Sequence, residues 1–429
     1  MKTIKCFLTK PMVNFSFIFI SLWFFLGTAY SADVTVKFAH AVTGGSQAEA
    51  LNEIVNDFEK RNPGIKIKQI VQDDDIYEDA GLITLLKSKN PPDIYFQWGG
   101  ALVARDAKEG HAANLTAYLS QGGWKKSFSP AAWAESSGTM IGNDIYMIPT
   151  SLDVTTVLWY NKKIFKKLGL KKPKTWDDLM QIISKLRKAG ITPIVMGNNE
   201  LWPFGNWAGH IAWRAVDPAL MDAALRQKES FNQPAFLKVF ELYEQLGKAG
   251  AFNKDMAALD ADPAMAGFFA ENAAMHAIGS WLVSSESELA DEGFEYDSFN
   301  TPVIDPNHPS PNSVIGLSTG YIMSSKSKHK DAAVKFLKHF TSMESQIKWA
   351  ESGAFSPVKG VMQKANIDSH TKALADMFQN ADSIVPPPDT GYPVAVADAF
   401  YQAAAYVAGG VKTPEEALIW LDNQVAGIK

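Results

Sequence analysis

Residues 34–70 read as strand, helix, strand, and that order constrains the fold more than anything else in the chain. Val34, Val36 and Phe38 alternate with Thr35, Lys37 and Ala39, a strand pattern. Gly44-Gly45 breaks it, and Ser46 starts a helix with Glu49 three residues on, the spacing of a capping box. Leu51, Ile54, Val55 and Phe58 supply an apolar face, Asn62-Pro63-Gly64 ends the helix, and Ile65, Ile67 and Ile70 mark a second strand. Two strands joined through a crossover helix pair in parallel, so the expected class is α/β.

The alternation continues. Tyr77–Ser88 reads as a helix stopped by Pro91-Pro92, and Asp93–Trp98 as a short strand turned by Gly99-Gly100. The stretch Pro149–Phe165 then joins one finished α/β unit to another. Within it Val154–Trp159 is expected as a buried strand, with Asp153 just before it and a helix starting near Tyr160–Lys163. Thr175 caps the next helix with Asp178 at N3, and Ile194–Met196 is a short strand leading to an aromatic loop, Trp202–Trp207. Residues 211–278 are mostly helical, and Ala273–Ile278 runs into Gly279-Ser280-Trp281. The chain is expected to cross back near Phe299–Ile304. Gly320–Met323 is a strand, Ala333–Phe340 a helix, Pro386-Pro387-Pro388 a rigid loop, and Thr413-Pro414-Glu415-Glu416 the start of the last helix. There is no internal repeat and no low-complexity linker, so two interwoven lobes are expected in place of tandem domains.

Residues 1–31 have the layout of a secretory signal. Lys2, Lys5 and Lys10 precede the apolar run Met12–Leu26, and Ala29-Tyr30-Ser31 places small residues for cleavage after Ser31 or, one residue on, after Ala32. An uncleaved membrane anchor is the alternative, but the run is short for a span. The single cysteine, Cys6, lies before the apolar run, so no lipoprotein acylation site, disulfide or thiol chemistry is expected in the mature chain. The net charge of −5 becomes −8 once the three leader lysines are removed. With no basic block, nucleic acid is not an expected partner. A soluble exported chain of this size, 46% hydrophobic among 429 residues, has core enough to do without disulfides and suits a periplasm.

The motifs that suggest catalysis sit in the wrong context. Gly316-Leu317-Ser318-Thr319-Gly320 matches the G-x-S-x-G nucleophile pattern, which needs a helix after the serine. Here Tyr321-Ile322-Met323 follows, so a glycine-bounded turn entering a strand is expected, close to a ligand. Asp73-Asp74-Asp75 lacks the spacing of a calcium loop and reads as a solvated loop from which Asp73 reaches a cleft. The eight histidines form no H-x-x-x-H pair, and no phosphate-binding glycine motif occurs, so no metal or nucleotide cofactor is expected. Asp153 has no second carboxylate in the pairing a glycosidase requires.

Strand ends carry the polar and aromatic groups: His40–Gln47, Gln72–Asp75 and Gln97–Gly100. Open α/β sheets bind ligands beyond the carboxyl ends of their strands. Trp98, Trp202, Trp207 and Trp281 lie beside Gly, Pro or Asn at such positions, away from obvious helix faces of the kind that carry Trp349 and Trp420. An indole offers a sugar's C–H face a large flat contact, while Asp, Asn and Gln bond its hydroxyls.

These features resemble the sugar-type extracellular solute-binding proteins of bacterial ABC importers, the group that includes maltose-binding protein. The resemblance spans the whole mature chain. It rests on the secretory start, P-D-I at Pro92–Ile94, the crossing Pro149–Phe165 followed by P-K-T-W-D at Pro173–Asp177, and G-S-W at Gly279–Trp281. Ser324–Phe340 with its A-A-x-K-F-L, and T-P-E-E-A-L at Thr413–Leu418, complete it. It implies a periplasmic-binding-protein fold of two α/β lobes with a ligand cleft and hinge crossings. Lobe one would be 33–150 plus 301–353, and lobe two 151–300 plus 354–429. It further implies a monomeric receptor that closes on an oligosaccharide and delivers it to the permease. By the same resemblance Asp153 bonds sugar hydroxyls and Trp281 stacks on a ring. Gln97, Trp98, Phe204 and Trp207 fall in looser binding regions, with Asp389 and Tyr392 near another. Gln47, Asp73 and Tyr321 complete the candidate set. Two other readings stay open at this point: a polyamine or other cation receptor using Asp73–Asp75 and Asp153, and an exported carbohydrate-active enzyme.

Overall fold

The computed structural model describes residues 34–73, 76–133 and 138–428; the signal segment, Asp74 and Asp75 lie outside the described residues. The strand–helix–strand start forms as the alternation requires. β1 (Val34–His40) pairs in parallel with β2 (Ile65–Val71) across helix α1 (Gly45–Arg61), and with β3 (Ile94–Trp98) on its other side. β4 (Met147–Val154) ends this half of the chain. β5 (Val157–Asn161), α2 (Trp176–Lys188), β6 (Thr192–Val195), α3 (Trp202–Ala215), β7 (Ala273–Ile278), α4 (Leu282–Leu289) and β8 (Tyr296–Phe299) build the next. β9 (Val314–Met323) returns to the first sheet, joined by the short β10 (Ile384–Val385), and helices α5 (Val394–Ala408) and α6 (Pro414–Ala426) close the chain.

Two sheets result. The larger runs β10-β9-β3-β1-β2, with β4 also paired to β9; the smaller runs β8-β5-β7-β6. β9 is antiparallel to both β3 and β4, so the returning strand ties the end of the first α/β unit into its sheet. Each sheet has its own core. Val36, Phe38, Leu51, Ile54, Phe58, Phe336, Phe340 and Trp349 pack on the first, and this core extends to Ala354, Val358 and Val361. Leu158, Trp207, Phe240, Tyr243, Phe400 and Leu421 pack around the second, so the C-terminal helices α5 and α6 join the smaller-sheet half.

Local details depart from the expectations in informative ways. Val154–Trp159 is not one strand: β4 stops at Val154, β5 begins at Val157, and Thr155-Thr156 carries the chain from one sheet to the other. Both sides hold this step, with Thr155 N donating to Ile315 O at 3.0 Å and Ser280 N to Val154 O at 2.8 Å. Ser46 does not cap α1; the N-cap is Gly44, and the Ser46 hydroxyl donates to Ser352 O at 3.0 Å. Gly316–Gly320 is not a turn but the buried middle of β9. Its glycines are needed because a Cβ on Gly316 or Gly320 would collide with the backbone of β4. Trp202–Trp207 is not a loop: it forms the first turns of α3, with Pro203 fitting a helix start. The capping boxes Thr175/Asp178 and Thr413/Glu416 both form.

Candidate functional site

The side chains of interest converge where strand ends of the two sheets meet. Trp98 ends β3, Asp73 follows β2, Gln47 lies in the first turn of α1, and Trp281 sits between β7 and α4. They line a groove of about 1810 Å³ together with Asp153, Trp202, Tyr321 and Glu288. A smaller recess of about 570 Å³ shares Trp98, Asp153, Trp202 and Trp281 with the groove and adds Thr155, Asn206, Leu317, Pro387, Asp389 and Thr390.

Three indoles define the recess. Trp202 and Trp281 lie with ring centroids 5.8 Å apart, tilted at 54°. Trp98 is braced by Phe96 at 4.9 Å, edge to face. Trp281 is turned into the cleft by Gly279, where a Cβ would overlap its ring. Trp202 follows Leu201, whose φ of 68° and Trp202 N–Glu200 O bond of 2.9 Å make a tight three-residue turn. Such a positive-φ turn is rare and strained for a branched residue, and strain of this kind concentrates at functional sites. The Trp202 Nε1 is buried without a hydrogen-bond partner.

Two carboxylates face these rings. Asp153 Oδ2 accepts a 2.9 Å bond from the Thr319 hydroxyl. Burial pushes the Asp153 carboxyl up to about 6, with the Thr319 bond offsetting part of the effect. Asp389 sits in the helical turn Pro388–Gly391. Its backbone N donates to the Tyr401 hydroxyl (3.1 Å), which donates to Asn206 Oδ1 (3.0 Å), and Asn206 Nδ2 reaches Asp389 Oδ2 at 3.4 Å. Burial, helped by the charge of Asp398, raises the Asp389 carboxyl. Its Oδ1 is buried with no partner, as is the Thr155 hydroxyl beside it. A donor on Trp202 and acceptors on Asp389 and Thr155 thus stand unmet around one recess, and buried polar groups left so are costly until something pairs with them.

Seven of the eleven candidate residues line the cleft: Gln47, Asp73, Trp98, Asp153, Trp281, Tyr321 and Asp389. Four do not, and strand or helix periodicity explains three of them. Gln97 alternates with Phe96 and Trp98 along β3, so it points to the other face, where its Nε2 donates to Asp106 at 2.7 Å. On α3, Trp202 and Asn206 share one side four residues apart, which turns Phe204 and Trp207 inward. Phe204 packs edge-on to Trp207, Tyr243 and Phe252, and Trp207 Nε1 bonds the Thr301 hydroxyl at 3.2 Å, both rings fully buried. Tyr392 is buried away from the recess, its hydroxyl on Asp222 at 2.9 Å and the Arg226 guanidinium 5.1 Å from its ring. Sequence reasoning counted Trp202 among the indoles expected at strand ends but left it out of the final candidate set, and passed over Asn206. Their i, i+4 spacing was the available signal, hidden by reading the segment as a loop.

Among the described residues no cluster of His, Cys, Asp and Glu could hold a metal ion, and no helix is long and apolar enough to cross a membrane. The profile of the bacterial extracellular solute-binding protein family matches residues 44–347. The chain is similar to a multiple sugar-binding protein of Streptococcus mutans, 26% identical over 74% of each chain. It is also similar to an sn-glycerol-3-phosphate-binding periplasmic protein of Rhizobium meliloti, 24% identical over 79% of each. Among solved structures, a chitin oligosaccharide binding protein superposes with a TM-score of 0.81 at 24% identity, covering 92% of this chain and 98% of that one. A raffinose complex of RafE gives 0.75 at 20%, covering 91% and 100%. These superpositions carry the fold, two α/β lobes around a ligand cleft. The family match covers most of the chain, so the protein belongs to the bacterial extracellular solute-binding proteins, and its cleft is a place for holding a solute and not for catalysis.

Proposed function

We propose that the protein is the receptor of an ABC importer, that its solute is an oligosaccharide, and that the two lobes close on it before delivery to the permease. The carrying observation is the recess itself: three indoles with two carboxylates and an asparagine around one cavity. Flat apolar faces beside hydroxyl-bonding groups are what a pyranose ring requires. The groove continuing from the recess gives room for further sugar units. In this reading Trp281, Trp98 and Trp202 stack on sugar rings, Asp153 and Asp389 accept hydroxyl bonds, and Gln47, Asp73 and Tyr321 line the extended part. The names of the relatives, sugar binders among them, support the same class.

The hinge in this reading includes Thr155-Thr156, and the expected lobes, 33–150 plus 301–353 and 151–300 plus 354–429, shift with it, because Ser151–Val154 and Ile384–Val385 pair with β9 of the larger sheet and so go with lobe one. Ala354–Val361 packs with the first core, so that segment would move with lobe one. Closure populates the form the permease recognises because ligand contacts both lobes. Residues 1–31 act as a cleaved signal delivering an unlipidated, monomeric receptor to the periplasm. The test is a thermal-shift and tryptophan-fluorescence screen of the purified mature protein against oligosaccharides, polyamines and amino acids. Stabilisation by oligosaccharides is expected. Stabilisation by polyamines or amino acids alone would overturn the sugar reading.

A further inference from the structure

The lining of the cleft is one-signed. Asp153 and Asp389 face the recess, and Asp73, Asp262 and Glu288 face the groove. Among the described residues no Lys, Arg or His lines either cavity. Among the described residues no Lys, Arg or His forms an ion pair with Asp73, Asp153, Glu288 or Asp389 either. Their bonds come from neutral donors instead: the Thr319 hydroxyl for Asp153, the Asn206 amide for Asp389, and the Gly45 backbone N for Glu288 at 2.5 Å. Asp389 Oδ1 and the Thr155 hydroxyl keep acceptor capacity free at the recess.

We infer that this cleft selects its sugar by charge, taking neutral or amine-bearing units and rejecting anionic ones. The inference rests on the oligosaccharide reading above and names the class within it. A ligand hydroxyl or ammonium can donate to Asp389 and Asp153. A ligand carboxylate or phosphate finds no cation and meets carboxylates in a recess walled by indoles, where like charges repel more strongly than in bulk water. Specificity of this kind is built as much by repulsion as by attraction. The same arrangement separates this cleft from one made for a phosphorylated polyol, which needs Arg, Lys or a row of backbone N–H groups around the phosphate.

The experiment uses matched sets by isothermal titration at pH 7.5: glucose, glucosamine and glucuronate; galactose, galactosamine and galacturonate; and the β-1,4-linked disaccharides of each. sn-Glycerol 3-phosphate is the phosphorylated probe. For whichever set binds, the uronate is expected to be weaker than its neutral parent by roughly 100-fold, the amine at least as tight as the parent, and the phosphate undetectable. The penalty should shrink at high salt. A double variant, Asp389→Asn with Glu288→Gln, is expected to bind the neutral sugar less tightly yet narrow the neutral-to-uronate gap to under about 10-fold. A uronate that binds like its parent, or a gap unchanged in the double variant, overturns the charge rule while leaving the sugar reading intact. Failure of every sugar alongside binding of another solute removes the sugar reading and this inference together.

Discussion

Replacing Asp153 by Asn separates two effects that an ordinary binding-site substitution would mix. The side chain is half-buried at the cleft wall, and among the described residues its hydrogen-bond partner is the Thr319 hydroxyl, a neutral donor. Burial raises the carboxyl from the usual 3.8 to about 6. An acid whose pKa is higher in the folded chain holds its proton longer there than in the unfolded one. Its ionisation therefore costs stability as pH rises from about 4, and the cost levels off above about 6. The full gap corresponds to about 3 kcal/mol, and cleft water on the open side reduces it to about 1–2 kcal/mol. Asparagine keeps the size, accepts from Thr319 through its oxygen and carries no charge. Urea unfolding of ligand-free protein at pH 4 and pH 8 measures the difference. Asp153→Asn is expected to gain about 1–2 kcal/mol on the wild type between the two pH values, because titrations common to both proteins cancel. The same variant should bind oligosaccharide roughly 10- to 100-fold more weakly, since a charge-assisted bond to the ligand is lost. A stability difference identical at both pH values would refute the reasoning, because the carboxylate would then carry no burial cost. A gain with unchanged affinity would move Asp153 off the ligand.

Other perturbations follow from single contacts. Gly279→Ala should push the Trp281 ring out of the cleft, since its Cβ would overlap that ring; titration should show at least about 10-fold weaker binding, a hot-spot-sized loss. Glu288→Gln weakens the bond by which α4 of the smaller-sheet half holds the N-terminus of α1 in the larger-sheet half. Stopped-flow should show a faster off-rate, about 3- to 10-fold, with the on-rate little changed. Arg214→Met removes a buried guanidinium that donates to Ser313 O (2.8 Å) and Thr301 O in the connection between β8 and β9. Thr301 O loses this donor while Ser313 O keeps the Asn300 amide at 3.0 Å, and calorimetry should report a loss of about 1–3 kcal/mol.

Much of the architecture was legible in the sequence because it depends on local pattern. Alternation in Val34–Ala39, the apolar stripe of α1 and the Asn62-Pro63-Gly64 stop act within a few residues of themselves, so the first βαβ unit formed as read. The capping boxes at Thr175 and Thr413 are local for the same reason. Ser46 failed as a cap because a carbonyl more than 300 residues away, Ser352 O, took its hydroxyl. Gly316–Gly320 misled likewise: those glycines answer to the close approach of β4, which no window around them contains.

The site divides along the same line. The sequence by itself determined that aromatic and polar groups would gather at strand ends, and that Asp153 lies beside a crossing between two α/β units, although the fold puts that crossing just after Asp153, at Thr155-Thr156, and not before it. It could not decide which neighbour in each segment faces the ligand. Along β3 one step along the strand separates Trp98 in the cleft from Gln97 bonded to Asp106, and on α3 one or two residues separate Asn206 in the recess from core-bound Trp207 and Phe204. Facing is set by the register of β3 against β9 and by the rotation of α3 on its core, both fixed by packing between distant segments. Only the folded chain brings Asp389, 236 residues beyond Asp153, to the same recess, and with it the one-signed charge on which selection of the solute would depend.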